Sequence, residues 1–240
     1  MAVRAIILAG GLGTRLREVV SDRPKAMSDV GGRPFLEILL RQLRQHTVFS
    51  VTIAVGYGGD YIRNHFGSGT GFGIDISYAD DGPRLLGTGG ALARAISALP
   101  GDRDSDPILV LNGDTYLEYK LEPFLVSLKG SEERLVLAVV RVDDAARYGG
   151  VRVSADGAVV GFEEKGAPSG LINAGFYCAR RETWSHVLTA SEGSSFSLER
   201  DVLPNLVGRG LYAVECAGLF IDIGVPADYG RAKTLLRSLS

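Results

Sequence analysis

Asp114 follows the apolar run Ile108 to Leu111 by way of Asn112 and Gly113. That puts it just beyond the carboxyl end of a strand, where open α/β sheets present ligand-contacting side chains. Asp222 stands between Ile221 and Ile223, so strand alternation turns it away from its apolar neighbours. Two carboxylates converging there would offer Mg²⁺ a hard oxygen site shared with substrate phosphate. Each also has a plainer reading, because Asp after a strand is a common turn or cap residue, and Asp222 could cap a helix beginning near Pro226. A second cluster, Gly10-Gly11-Leu12-Gly13-Thr14-Arg15, directly follows the run Ala5 to Ala9. Backbone N–H groups in such a loop can point at phosphate oxygens. No Gly-Lys-Ser/Thr closes it, and Leu16 stands where the dinucleotide fingerprint needs its third glycine. Arg15 inside the loop and Lys25 after Pro24 supply cations suited to a triphosphate. A tight turn with solvated charges would explain the glycines alone.

Other reactive side chains read as structural. His46, His65 and His186 have no Ser or Cys nucleophile in triad context and are expected on helices or at the surface. Trp184 with Val187 and Leu188 at helical spacing reads as core. Tyr78 and Asp80-Asp81 could meet a base or simply end a strand at the surface. Glu199 and Asp201 fall in the first turn of an expected helix, where its dipole favours acids whatever the function, so neither is assigned to catalysis.

These groups must be held by elements that the patterning outlines. Ala5–Ala9 reads as a buried strand, Phe35–Gln45 as a helix with Leu36, Leu39, Leu40 and Leu43 on one face, and Val51–Val55 as the next strand. Ile74–Tyr78 continues as a strand, Gly90–Leu99 as an Ala-rich helix, and Ile108–Leu111 as a central strand. The first half should therefore be a mostly parallel, doubly wound sheet. Leu135–Val142 and Gly150–Phe162 bring antiparallel pairing, the latter around an Asp156-Gly157 turn. Helices are expected at Arg181–Leu188, Leu198–Leu206 and Ala227–Leu236, and a strand pair at Tyr212–Cys216 and Leu219–Ile223. With 240 residues, no internal repeat and no convincing linker, residues 1–240 read as one domain. Its nucleotide-binding half covers about 1–130 and its sugar-phosphate half about 131–240.

Lys+Arg of 26 against Asp+Glu of 28 gives a net charge of -2, which supplies no field for gripping a polyanion, so a nucleic-acid polymer is not expected as a partner. No segment approaches the ~20 apolar residues that a membrane helix needs. Cys178 and Cys216 lack both disulfide and metal spacing, and a cytoplasmic location is expected. Assembly into a homo-oligomer is left open.

Taken together, Leu8-Ala9-Gly10-Gly11-Leu12-Gly13-Thr14-Arg15-Leu16, Pro24-Lys25, Leu86-Gly87-Thr88-Gly89-Gly90-Ala91, Asn112-Gly113-Asp114, Phe162-Glu163-Glu164-Lys165 and Asn173-Ala174-Gly175 resemble the sugar-phosphate nucleotidyltransferase family, in order and over nearly the whole chain. The resemblance implies a Rossmann-like nucleotidyltransferase fold, a mixed but mostly parallel central sheet with helices on both faces. It implies that Leu8, Ala9, Gly10, Gly11, Gly13, Thr14, Arg15 and Lys25 bind a nucleoside triphosphate, with Arg15, Lys25 and Asp114 catalytic. Asn112 and Asp114 would join that nucleotide site, while Gly87, Thr88 and Gly89 would lie against base and ribose. Tyr148, Gly149, Glu164, Lys165, Asn173 and Asp222 would face a sugar 1-phosphate, and Asp114 with Asp222 would hold Mg²⁺. Within the family, Ser21-Asp22-Arg23-Pro24-Lys25-Ala26-Met27, Phe196-Ser197-Leu198-Glu199-Arg200-Asp201 and Phe220-Ile221-Asp222-Ile223-Gly224-Val225-Pro226 look most like heptose 1-phosphate guanylyltransferases. That implies transfer of GMP from GTP to D-glycero-α-D-manno-heptose 1-phosphate, with release of pyrophosphate. Ala26 and Leu85 replace prolines that relatives usually carry. The alternatives are a uridylyl- or thymidylyltransferase for another hexose 1-phosphate, or a catalytically silent nucleotide-sugar sensor.

Overall fold

Successive residues of the first strand, β1 (Arg4–Leu8), point to opposite sides, Ala5 and Ile7 one way and Ile6 the other. Repeated from strand to strand, that alternation divides the interior into two cores. The computed structural model describes residues 2–13, 16, 23–82, 84–100, 105–129, 131, 133–143, 148–163, 170–188 and 195–237. After β1 come a 3₁₀ turn at Lys25–Met27, a ribbon of β2 (Asp29–Val30) and β3 (Arg33–Pro34), helix α1 (Phe35–Gln45), β4 (Ser50–Val55), α2 (Gly59–Phe66) and β5 (Asp75–Asp80). Next are α3 (Gly87–Ala98), β6 (Pro107–Asn112), β7 (Thr115–Leu117), α4 (Glu122–Leu128), β8 (Leu135–Val142), the hairpin of β9 (Gly150–Val153) and β10 (Val159–Glu163), and β11 (Gly170–Arg180). The chain closes with α5 (Arg181–Val187), a π turn at Leu198–Val202 leading into a 3₁₀ turn at Leu203–Leu206, β12 (Leu211–Glu215), β13 (Phe220–Asp222) and α6 (Pro226–Leu235).

Strands β5, β4, β1 and β6 lie side by side and parallel. Antiparallel β11 follows β6, β8 pairs antiparallel with β11, and β12 joins β8 in parallel. The result is a mixed sheet with helices on both faces. Helices α1, α2, α4 and α6 pack on the face that receives Ile7, Ile53 and Leu111, while α3, α5 and the π turn cover the face that receives Ile6 and Val110. On α1, Leu36, Leu39, Leu40 and Leu43 are all fully buried, each contributing roughly 1.5–3 kcal/mol by leaving water. Trp184 is likewise core, its indole N–H donating to the Ile108 carbonyl at 3.2 Å. Among the described residues no helix is long and apolar enough to cross a membrane. Both cysteines are free and buried; burial pushes the Cys216 thiol up to about 11 and raises Cys178 further.

Two expectations are corrected and one alternative is set aside. Tyr212–Cys216 and Leu219–Ile223 do not pair with each other: β12 joins β8, and β13 pairs antiparallel with β7. The turn between them is held by Glu118, whose backbone N–H donates to the Leu219 carbonyl at 2.8 Å and whose carboxylate accepts the Leu219 N–H at 3.2 Å. Leu198–Leu206 is not an α-helix, because Pro204 has no N–H to continue one and the chain adopts π and 3₁₀ turns instead. Asp222 does not cap α6, which starts from Val225 with no side-chain cap. Asp222 instead accepts the Gly224 N–H at 2.7 Å.

Candidate active site

Parallel strands β1 and β6 are neighbours, yet the chain after β1 winds to β4 and β5 on one side before returning to β6 on the other. Sheets open a crevice at such a switch point, beyond the strands' carboxyl ends. A cleft of about 310 Å³ lies there. Leu8, Ala9, Gly10, Gly11 and Gly13 form one wall, and Asn112 and Asp114 form the other. The walls are joined by the Gly113 N–H donating to the Leu8 carbonyl at 2.9 Å. Lys25, Gly87 and Thr88 also line it. Gly89 does not line the cleft; it is buried, and its N–H donates to the Phe196 carbonyl at 3.0 Å. Thr14 and Arg15 lie outside the described residues. The Asn112 Oδ1 is buried with no partner among the described residues, an acceptor that a bound ligand's donor would satisfy.

The β7–β13 ribbon brings the two acids together. It sets Asp222 opposite Thr115, and the Ile223 N–H donates to the Asp114 carbonyl at 2.9 Å. Lys25 Nζ donates to Asp114 Oδ2 at 2.5 Å and stands 3.9 Å from Asp222 Oδ1. An ammonium group thus sits where both carboxylates can reach one cation, which shows that the pair fits a positive ion. Among the described residues no three His, Cys, Asp or Glu side chains converge as a complete metal cage. A divalent ion held by Asp114 and Asp222 would fill its shell with water and substrate phosphate, the arrangement that suits Mg²⁺. Such a site brings anionic reactants together without a covalent nucleophile.

Asp81 also lines the cleft, and the sequence separates it from Asp80 only weakly. Asp80 is exposed and paired with Arg63, whereas Asp81 is only 5% exposed and accepts the Leu86 N–H at 3.3 Å. Burial raises the Asp81 carboxyl above its ordinary range, against the opposing pull of that hydrogen bond and of Arg94. On the other side of the ribbon, Tyr148 and Asp222 line a second cleft of about 800 Å³ together with Phe220. Tyr148 and Phe220 meet edge to face, their centroids 5.9 Å apart. Gly149 and Asn173 line neither cleft, and Glu164 and Lys165 lie outside the described residues.

Glu199, which the sequence pattern left as a helix-dipole acid, is a hub. Its Oε2 accepts from Thr88 at 2.6 Å and from Ser197 at 2.9 Å, and its Oε1 accepts from the Tyr177 hydroxyl at 3.3 Å. Burial, and then the Glu199 charge, hold that hydroxyl well above the ordinary phenol range, so it keeps its proton. No sequence signal marked Tyr177, because it lies inside a run of buried residues.

A cleft at the switch point, flanked by paired acids and a lysine, suits proteins that handle nucleoside phosphates. The model of the nucleotidyl transferase family matches residues 4–238, and the chain belongs to that family. It is 35% identical over 228 residues to D-glycero-α-D-manno-heptose 1-phosphate guanylyltransferase of Campylobacter jejuni, covering 95% of this chain and 97% of the relative. It is 32% identical to mannose-1-phosphate guanylyltransferase of Mycobacterium tuberculosis, covering 99% of this chain and 66% of that protein. The crystal structure of HddC from Yersinia pseudotuberculosis complexed with GMP-PN superposes with a TM-score of 0.81 at 34% identity, covering 96% of this chain and 98% of that one.

Proposed function

We propose that the protein transfers GMP from GTP to a sugar 1-phosphate, D-glycero-α-D-manno-heptose 1-phosphate foremost, in the presence of Mg²⁺. The observation that carries this reading is the convergence of Asp114, Asp222 and Lys25 at the edge of the cleft. A phosphate oxygen of the sugar attacks the α-phosphorus of GTP; a new P–O bond forms as the bond to the departing pyrophosphate breaks. When bound, Mg²⁺ lowers the charge on the reacting phosphates. Lys25 is long and cationic enough to leave the carboxylates and meet pyrophosphate oxygens. The motifs that Arg15 and Lys165 occupy assign Arg15 to the leaving pyrophosphate and Lys165 to the incoming sugar phosphate.

Asp81 supports guanine as the base. A carboxylate accepts from the adjacent N1–H and N2–H₂ donors of guanine, whereas the single N3–H of uracil or thymine is flanked by two carbonyls that a carboxylate repels. The adjoining cleft with Tyr148, Phe220 and Asp222 suits the sugar, and buried free thiols suit a reducing cytoplasm. The test is pyrophosphate release across GTP, ATP, CTP, UTP and dTTP, each paired with heptose, mannose, glucose and N-acetylated sugar 1-phosphates. Release with GTP and the heptose phosphate is expected. Preference for UTP or dTTP would overturn the guanine assignment, and silence with every pair would overturn the reaction.

A further inference from the structure

Asn112 ends β6, and its Oδ1 is buried without a hydrogen-bond partner among the described residues. Such an atom stays costly until a donor reaches it. Ile108 and Val110 face the core beneath α3, so the alternation of β6 turns Asn112 to the same side, where Gly87 and Thr88 line the nucleotide cleft. Room for the amide comes from Gly175, where a Cβ would lie 2.6 Å from the Asn112 Nδ2. The Gly175 N–H is itself given to the Asn173 Oδ1 at 2.9 Å. In the cleft, the Thr88 hydroxyl donates to Glu199 at 2.6 Å and Lys25 Nζ donates to Asp114 at 2.5 Å. With these donors committed, the amide oxygen is left to a ligand.

We propose that the Asn112 Oδ1 accepts a hydrogen bond from a ribose hydroxyl of the bound nucleotide. The proposal rests on the proposed function, in which the cleft holds GTP. Ionised phosphates only accept, so a nucleoside triphosphate offers donors on its base and its ribose alone. The guanine donors are met by Asp81 behind the opposite wall, where a Cβ on Gly10 would lie 3.2 Å from the Asp81 Oδ2. Asp114, two residues beyond Asn112, stands at the phosphate end. Asn112 therefore has the base to one side and the phosphates to the other, the span that ribose bridges in any nucleotide. The hydroxyls of the sugar 1-phosphate share this chemistry, but Asn112 is not among the residues that line the second cleft with Tyr148 and Phe220.

The experiment titrates the wild type, Asn112→Ala and Asn112→Leu, which keeps the branched shape, with GTP, 2′-deoxy-GTP and 3′-deoxy-GTP in Mg²⁺ and without sugar phosphate. The sugar 1-phosphate KM is measured in parallel at saturating GTP, and thermal melts by circular dichroism check that each variant is folded. One deoxy analogue should bind the wild type about tenfold more weakly than GTP, the effect of one lost hydrogen bond, and its identity names the hydroxyl. Asn112→Ala and Asn112→Leu should bind GTP about tenfold more weakly, yet bind GTP and that analogue within about twofold of each other, so that the two deletions do not add. Equal wild-type affinity for all three nucleotides, or an undiminished preference for GTP in a folded variant, would overturn the ribose contact. So would an unchanged GTP Kd with a raised KM for the sugar 1-phosphate, which would give the amide to a hydroxyl of that substrate instead. A wild type that shows the expected binding pattern but releases pyrophosphate from no pair would support the contact and overturn the proposed reaction.

Discussion

Lys25, Asp114 and Asp222 form a charge arrangement in which no member is spare. Asp114→Ala should lower turnover by about 10³-fold, comparable to deleting a strong transition-state contact, while the melting temperature stays near that of the wild type. A folded Asp114→Ala protein with ordinary turnover would remove the acid from the mechanism. Asp81 gives a prediction with two signs. Its native pKa is raised above the ordinary value of 3.8, so the folded state holds the proton more tightly than the unfolded chain does. The stabilisation from that proton is complete below 3.8 and is lost as pH rises through the raised native value. Asp81→Asn should therefore lose the decline in stability across that window, read from melts over a pH series. The same variant should bind GTP roughly 10–100-fold more weakly, the effect of losing a hydrogen bond to a charged group. Unweakened GTP binding in a titration would take the base contact away from Asp81.

Glycine shows how opposite outcomes follow from the element that carries the residue. Gly87 opens α3 at φ 70°, and a Cβ there would lie 2.4 Å from the Phe196 carbonyl oxygen. Gly87→Ala should cost about 1–3 kcal/mol in urea unfolding from backbone strain alone and should weaken nucleotide binding by displacing Thr88. Gly230 lies within α6 with open space around the position of its absent Cβ, so Gly230→Ala should gain roughly 0.5–1 kcal/mol. Elements with a clear period were legible: α1 and β8 have the bounds that their patterns indicate, and β9 and β10 meet around Asp156-Gly157. Strand β11 was not, since it is sandwiched between β6 and β8 and its residues from Ala174 to Ala179 are all buried, which erases alternation. The pairing of β13 was missed for another reason. Local sequence shows that a segment is extended, but its choice of β7 over nearby β12 depends on contacts with Glu118, far away along the chain. In the site, the glycine loop, Lys25, Asp114 and Asp222 were legible because each departs from what a core requires, whereas Tyr177 resembles any buried aromatic.

At the scale of the molecule, two cores share one sheet, and every central strand contributes to both. Such a body should unfold as one unit. Trp184, the single tryptophan, reports on the α5 face, while far-UV circular dichroism reports on the whole chain. The two urea transitions should coincide in midpoint and slope, and separate midpoints would divide the chain into independent units. The pairing of β13 with β7 also has a consequence for biosynthesis. Asp114 leaves the ribosome together with the first, parallel half of the sheet, but Asp222 follows only after nearly half the chain more has been made. A nascent chain can shape the cleft early, yet it holds only one carboxylate of the pair until β13 has emerged, so under the proposed function competence waits for that ribbon rather than growing along with the chain.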